Sequence, residues 1–98
     1  MTRQASLSPQ AREELLDAAQ FYAFESPALR ERFLAAFEAA LAQLEAHPLS
    51  GSALRGEMRR LLFRGFPYSL IYGLRGDETR IYAVMHHHRR PSYGRERK

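Results

Sequence analysis

The stretch EMRRLLFRGFPYSLIYGLRGDETRIYAVMH, from Glu57 to His86, decides the fold. Its apolar residues alternate with a period of two, which fits extended chain and not a helix. "EMRRLLF", the turn "RG" at Arg64 and Gly65, and "FPYSLIYGL" read as a hairpin whose alternation places Tyr68, Leu70 and Tyr72 on one face. Pro67 has no N–H to give to a ladder, so it belongs at the start of its strand. "RGDE" makes the next turn. "TRIYAVMH" is apolar on both faces, as a strand inside a sheet should be.

Working outward toward the N-terminus, the period changes to that of a helix. Ser8 and Pro9 read as an N-cap and a first helical residue, with Ala11, Leu15, Ala18 and Tyr22 spaced along one face up to about Glu25. Glu13 and Glu14 are expected near the positive end of that helix's dipole. Ser26 and Pro27 repeat the same punctuation, and Leu29, Phe33, Phe37, Ala40 and Leu44 continue helically until Pro48 and Gly51 stop the run. A joint this short makes an antiparallel helical hairpin. Phe21, Tyr22, Phe33 and Phe37 read as its core stripe and not as a ligand box. Arg3 to Leu7 reads as a short edge strand, and the stretch holding Ser50, Gly51 and Gly56 as a loop. The fold class is therefore α+β, a helical hairpin packed on a small, mostly antiparallel sheet in the order β-α-α-β-β-β.

The 98 residues fit one domain, 1–98, with the tail from about 94 to 98 expected to fray. The chain has no cysteine, so disulfides and thiolate metal sites are excluded. No apolar run approaches the roughly 20 residues that span a bilayer, and the N-terminus lacks a signal-peptide core, so no membrane partner and a cytoplasmic location are expected. Net charge is +4, but unevenly placed: residues 1–50 carry four arginines against seven acids, and residues 51–98 carry eleven basic residues against four acids. The halves are thus −3 and +7. All the basic residues but Lys98 are arginine, whose planar fork suits phosphate and carboxylate. Such a field favours an acidic protein or a nucleic acid on the C-terminal half, with a solvated basic face as the plain alternative.

After the last strand come His86, His87 and His88, and then "RRPSYGRERK". Strand alternation puts His86 and His88 together and turns His87 away. Two imidazoles with no carboxylate or thiol nearby in sequence fall short of the three protein ligands of a catalytic zinc site, so no metal and no cofactor is expected. A strand-end histidine bonded to backbone is the plain reading of His86. The same alternation sets Arg59 opposite Arg60 and Arg64, so at least one of the three is simply solvated.

The element order, the "FPYSLIYGL" strand and the ending "IYAVMHHHRRPSYGRER" together resemble the ParE branch of the RelE/ParE toxin superfamily, over nearly the whole chain. The most specific parts are the basic strand before Phe66, Pro67 and Tyr68, and the apolar strand closing in His86 ahead of Arg90, Pro91 and Tyr93. The resemblance implies the toxin of a type II toxin–antitoxin module of the growth-inhibiting, plasmid-stabilization kind, neutralised by an antitoxin whose C-terminal segment folds onto it. ParE-like members inhibit DNA gyrase and cleave nothing, while RelE-like members are ribosome-dependent mRNA endonucleases that use no metal. The ParE reading makes this chain no enzyme, with no small-molecule substrate and with Arg59, Arg64, His86, Arg90 and Tyr93 as target contacts. The nuclease alternative needs a base, an acid and phosphate clamps. Glu57 or His86, Tyr93 or His88, and Arg59, Arg64 and Arg90 are its candidates. The nuclease branch typically lines its sheet with lysines, and the only lysine here is Lys98; Gly94 follows Tyr93 where similar endings carry Trp. Both departures favour the gyrase-inhibitor type. A basic, non-toxic nucleic-acid-binding relative is the third reading.

Overall fold

The computed structural model describes residues 4–88. Its elements are β1 (Gln4–Leu7), α1 (Pro9–Glu25), α2 (Pro27–Ala46), β2 (Ser52–Ala53), β3 (Arg59–Leu62), β4 (Tyr68–Arg75) and β5 (Glu78–His86). They form a five-stranded sheet in the order β1-β5-β4-β3-β2. Every pairing is antiparallel except β1 on β5. The α+β expectation holds, with one addition. The loop after α2 contains β2, whose Ser52 and Ala53 pair with Arg60 and Arg59 at the rim, too brief a ladder to carry an alternation in sequence.

The serines do what their position requires. Ser8 Oγ accepts from the Ala11 N–H at 3.0 Å, and Ser26 Oγ accepts from the Leu29 N–H at 3.0 Å. Ser26 also donates its own N–H to the Tyr22 carbonyl at 3.1 Å, so one extended residue ends α1 and begins α2. Glu13 and Glu14 lie beyond the first turn of α1, past the reach of its dipole, which corrects the sequence reading. Glu14 instead accepts from the Val84 N–H at 2.8 Å. Glu45 of α2 likewise accepts from the Ala5 N–H at 3.1 Å. Each helix thus satisfies a backbone donor that its strand has no neighbour to take.

The core lies between the hairpin and one face of the sheet. It joins Ala11, Ala18 and Ala19 of α1 and Phe33, Phe37, Ala40 and Leu44 of α2 to Leu61, Phe63, Tyr68, Leu70, Tyr72, Ile81 and Val84. Tyr68, Leu70 and Tyr72 share that face, as their alternation predicts. Tyr22, Phe33 and Phe37 belong to this layer, but Phe21 is 58% exposed, a correction to the sequence reading. Its Cα stands one residue, about 100°, off the stripe that carries Tyr22, and only its ring edge meets Tyr22, at 5.2 Å. The Tyr72 hydroxyl donates to the Pro48 carbonyl at 2.8 Å and accepts from the Gly51 N–H at 2.9 Å, which ties the loop after α2 to the sheet. Between β4 and β5, Gly76 has φ 60° and Asp77 does not have positive φ, the pattern of a type II′ hairpin turn. Among the described residues, no helix is long and apolar enough to cross a membrane.

Candidate functional site

One end of the sheet gathers part of the expected site. β4 begins at Tyr68 directly opposite His86, the last residue of β5, and the His87 N–H donates to the Pro67 carbonyl at 2.9 Å. The turn bearing Arg64 therefore stands at the same end of the sheet as the histidines. His86 is half-buried with its ring at right angles to Tyr68, centroids 4.9 Å apart. Its Nδ1 accepts from the His88 N–H at 3.0 Å, and the two rings lie 5.5 Å apart. His87 points to the other face, where its Nε2 lies 2.8 Å from Ser69 Oγ. The alternation expected of the three histidines is what the chain adopts. No group of three or more His, Cys, Asp or Glu side chains is placed to hold a metal ion among the described residues.

The remaining candidates are distributed differently. Arg64 is exposed in the turn between β3 and β4. Arg59 is committed to the loop after α2, its Nη1 donating to the Gly51 carbonyl at 2.7 Å and to the Leu49 carbonyl at 3.4 Å. Glu57 precedes β3 at the far end of the sheet, where its carbonyl lies beside Gly73. From Gly73 to Tyr68 is five strand residues, about 17 Å, so the structure does not bring Glu57 to His86. Arg90 and Tyr93 lie outside the described residues.

Two features escaped the sequence reading. On the hairpin, Leu16 (59% exposed) and Phe24 (82% exposed) stand on the solvent side of α1. With Ala19, Gln20, Ala23 and Arg30 they line an open hollow of about 500 Å³. Their signal was spacing, since Leu16, Ala23 and Phe24 fall at i, i+7 and i+8, a second stripe behind the first. On the sheet face away from the helices, Tyr82 packs over Gly73, where a Cβ would come within 3.1 Å of the ring. The signal there was a glycine inside an otherwise bulky strand. Burial raises the pKa of Tyr22 above its ordinary value.

Comparison with known proteins adds the following. Residues 5–91 match the family described as "ParE toxin of type II toxin-antitoxin system, parDE". A solved chain titled "Chromosomal ParDE TA system from P. aeruginosa" superposes with a TM-score of 0.75 at 15% identity, covering 87% of this chain and 96% of that one. At that identity the likeness is one of fold. No curated protein matches the chain.

Proposed function

We propose, since the chain belongs to the ParE toxin family of type II toxin–antitoxin systems, that it arrests growth by binding DNA gyrase and is silenced by a cognate antitoxin lying across it. Beyond membership of the family, the observation that carries the inhibitor reading is the separation within the candidate site. Glu57 and His86 stand at opposite ends of β4, and Arg59 is fastened to the loop after α2. An RNA-cleaving centre needs its base, acid and cations around one phosphate. What gathers at the His86 end is a rim of Arg64 and imidazoles, continued in sequence by Arg89 and Arg90, and a rim of that kind suits binding by charge and shape.

The antitoxin's C-terminal segment would cover two surfaces. Its apolar helix or strand would fill the hollow at Leu16, Ala23 and Phe24, and its acidic residues would meet the basic sheet half. In the test, purified protein is added in parallel to a gyrase supercoiling assay and to translating ribosomes with an mRNA reporter. Loss of supercoiling without cleavage is expected, with Arg90→Ala weakening inhibition most at low salt and His86→Gln having a mild effect. Ribosome-dependent cutting, abolished by His86→Gln with binding retained, would overturn the reading in favour of the nuclease alternative.

A further inference from the structure

The face of the sheet turned away from the helices carries an arginine that the fold leaves unsatisfied. Arg59 is committed to two carbonyls. Arg80 donates to Ser6 Oγ, whose hydroxyl in turn donates to Glu78. Arg64 and Arg75 are exposed at the two turns that bound β4. Arg60 differs, because its Nε is buried and has no hydrogen-bond partner among the described residues. A buried donor left unpaired costs about 1–3 kcal/mol, more when it is charged. The side chain as a whole is only half-buried and makes no hydrogen bond among the described residues, so a ligand oxygen on the outer guanidinium nitrogens would give it a partner the fold does not.

Register fixes what surrounds this guanidinium. Arg60 pairs with Ile71 of β4, so Ser69 and Gly73 are its diagonal neighbours on the same face, within about 7–8 Å and inside the reach of an arginine side chain. Ser69 Oγ holds the exposed His87 ring. Over Gly73 lies Tyr82, which falls at the register shift between β4 and β5 and rests its ring against the glycine backbone. Tyr82 also lines an open hollow of about 400 Å³ with Glu57, Met58, Leu74, Arg75 and Gly76. A guanidinium with an unpaired Nε, a tethered imidazole and an aromatic ring whose edge meets the sheet at Gly73 thus share one surface.

We propose that this surface binds a nucleotide, its phosphate on Arg60 beside His87 and its base stacked on Tyr82 in the adjoining hollow. The guanidinium fork and the imidazole match the several oxygens of one phosphate. An aromatic ring contributes about 1–3 kcal/mol to the stacking of a base. Glu57 and Arg75 both stand on the rim of the hollow and offset each other, which suits it to the uncharged base and leaves the phosphate to Arg60. The volume holds a single nucleoside, so the unit recognised is one nucleotide, free or within a single strand. This site needs neither gyrase nor an antitoxin, and its test stands apart from theirs.

The full-length protein is titrated with adenosine 5′-monophosphate, adenosine, inorganic phosphate and a short single-stranded oligonucleotide, followed by calorimetry and by the NMR signals of His87 and Tyr82. Expected is a Kd for the monophosphate of about 1 mM or tighter, with adenosine and phosphate each about tenfold weaker. R60Q should bind the monophosphate no better than adenosine, and Tyr82→Leu no better than phosphate, while R32Q, at an exposed position of α2 on the other side of the molecule, binds as the parent does. Should R60Q fail to fold, R60K keeps the charge and the aliphatic stem, loses the fork, and is expected to bind about threefold to tenfold more weakly. An oligonucleotide with the same dependence on Arg60 places the nucleotide within a strand. Monophosphate binding absent at about 10 mM, or equal in the parent, R60Q and R60K, overturns the site. Oligonucleotide binding that survives R60Q and follows only ionic strength, with no monophosphate bound, overturns it equally.

Discussion

Phe33 is fully buried and meets Tyr22, Phe63, Phe66 and Tyr68 at ring separations of 5.1–5.5 Å, which makes it the residue through which α2 grips both α1 and the sheet. Phe33→Ala should therefore cost about 3–5 kcal/mol, and Phe37→Ala a similar amount, whereas Phe21→Ala should stay below about 1 kcal/mol. Chemical denaturation of the three variants measures the contrast, and equal losses at Phe21 and Phe33 would reject the assigned helix face. Tyr22 supplies a second residue-scale expectation. Burial raises its pKa above the ordinary 10.0, so the folded chain holds that proton where the unfolded chain releases it. Stability is then unaffected below the unfolded value and falls as pH rises through and above it. Melting temperatures recorded on either side of pH 10.0 should drop less in Tyr22→Phe than in the parent.

At the scale of elements, the serine caps and the helix carboxylates perform related tasks. Ser8 closes α1 on Ala11 and also donates to the Tyr82 carbonyl at 3.1 Å, so the helix start is fastened to β5. β1 runs in register only as far as Ile81. Past that point β5 has no strand beside it on that edge among the described residues, and Ser8 and Glu14 take its Tyr82 carbonyl and Val84 N–H in place of one. Unsatisfied edges of this kind invite pairing with other chains. Glu14→Ala should cost about 1–3 kcal/mol and expose the Val84 amide. Hydrogen exchange at Val84 is the direct check: an exchange rate unchanged by the substitution would show that the bond contributes nothing.

For the whole molecule, what counts is the separation of charge between a −3 half that supplies the helices and a +7 half that supplies most of the sheet. The Arg30–Glu31 pair at 3.2 Å is exposed and adds little. The field is available for partners. If the antitoxin covers both the hollow on α1 and the basic sheet, its affinity should fall as salt rises, and Phe24→Glu should weaken it by about tenfold or more. Phe24 is 82% exposed, so that variant should melt within a degree or two of the parent. Co-purification with the neighbouring small protein at two salt concentrations tests both statements, and an interaction indifferent to Phe24→Glu would place the antitoxin elsewhere.

Local patterns determined most of this architecture. Ser8–Pro9 and Ser26–Pro27 set the helix starts, period-two alternation set the inward faces of β3 and β4, and the steep rise in arginine after residue 50 set the basic half, because each depends on neighbours close along the chain. Other features came from contacts between residues far apart in sequence. Whether Phe21 or Tyr22 turned inward depended on how α1 rolls against the sheet. Arg59 and Arg60 are adjacent, yet only register and the loop after α2 decided that the first is committed to carbonyls and the second is left with a free Nε. The candidate site divided in the same way. Sequence could name Glu57, Arg64 and His86 as chemically able residues, but only pairing across β4 put Arg64 and His86 at one end of the sheet and Glu57 at the other. Alternation reports which face a side chain takes; distance along the sheet is a property of strand pairing, and strand pairing exists only in the folded chain.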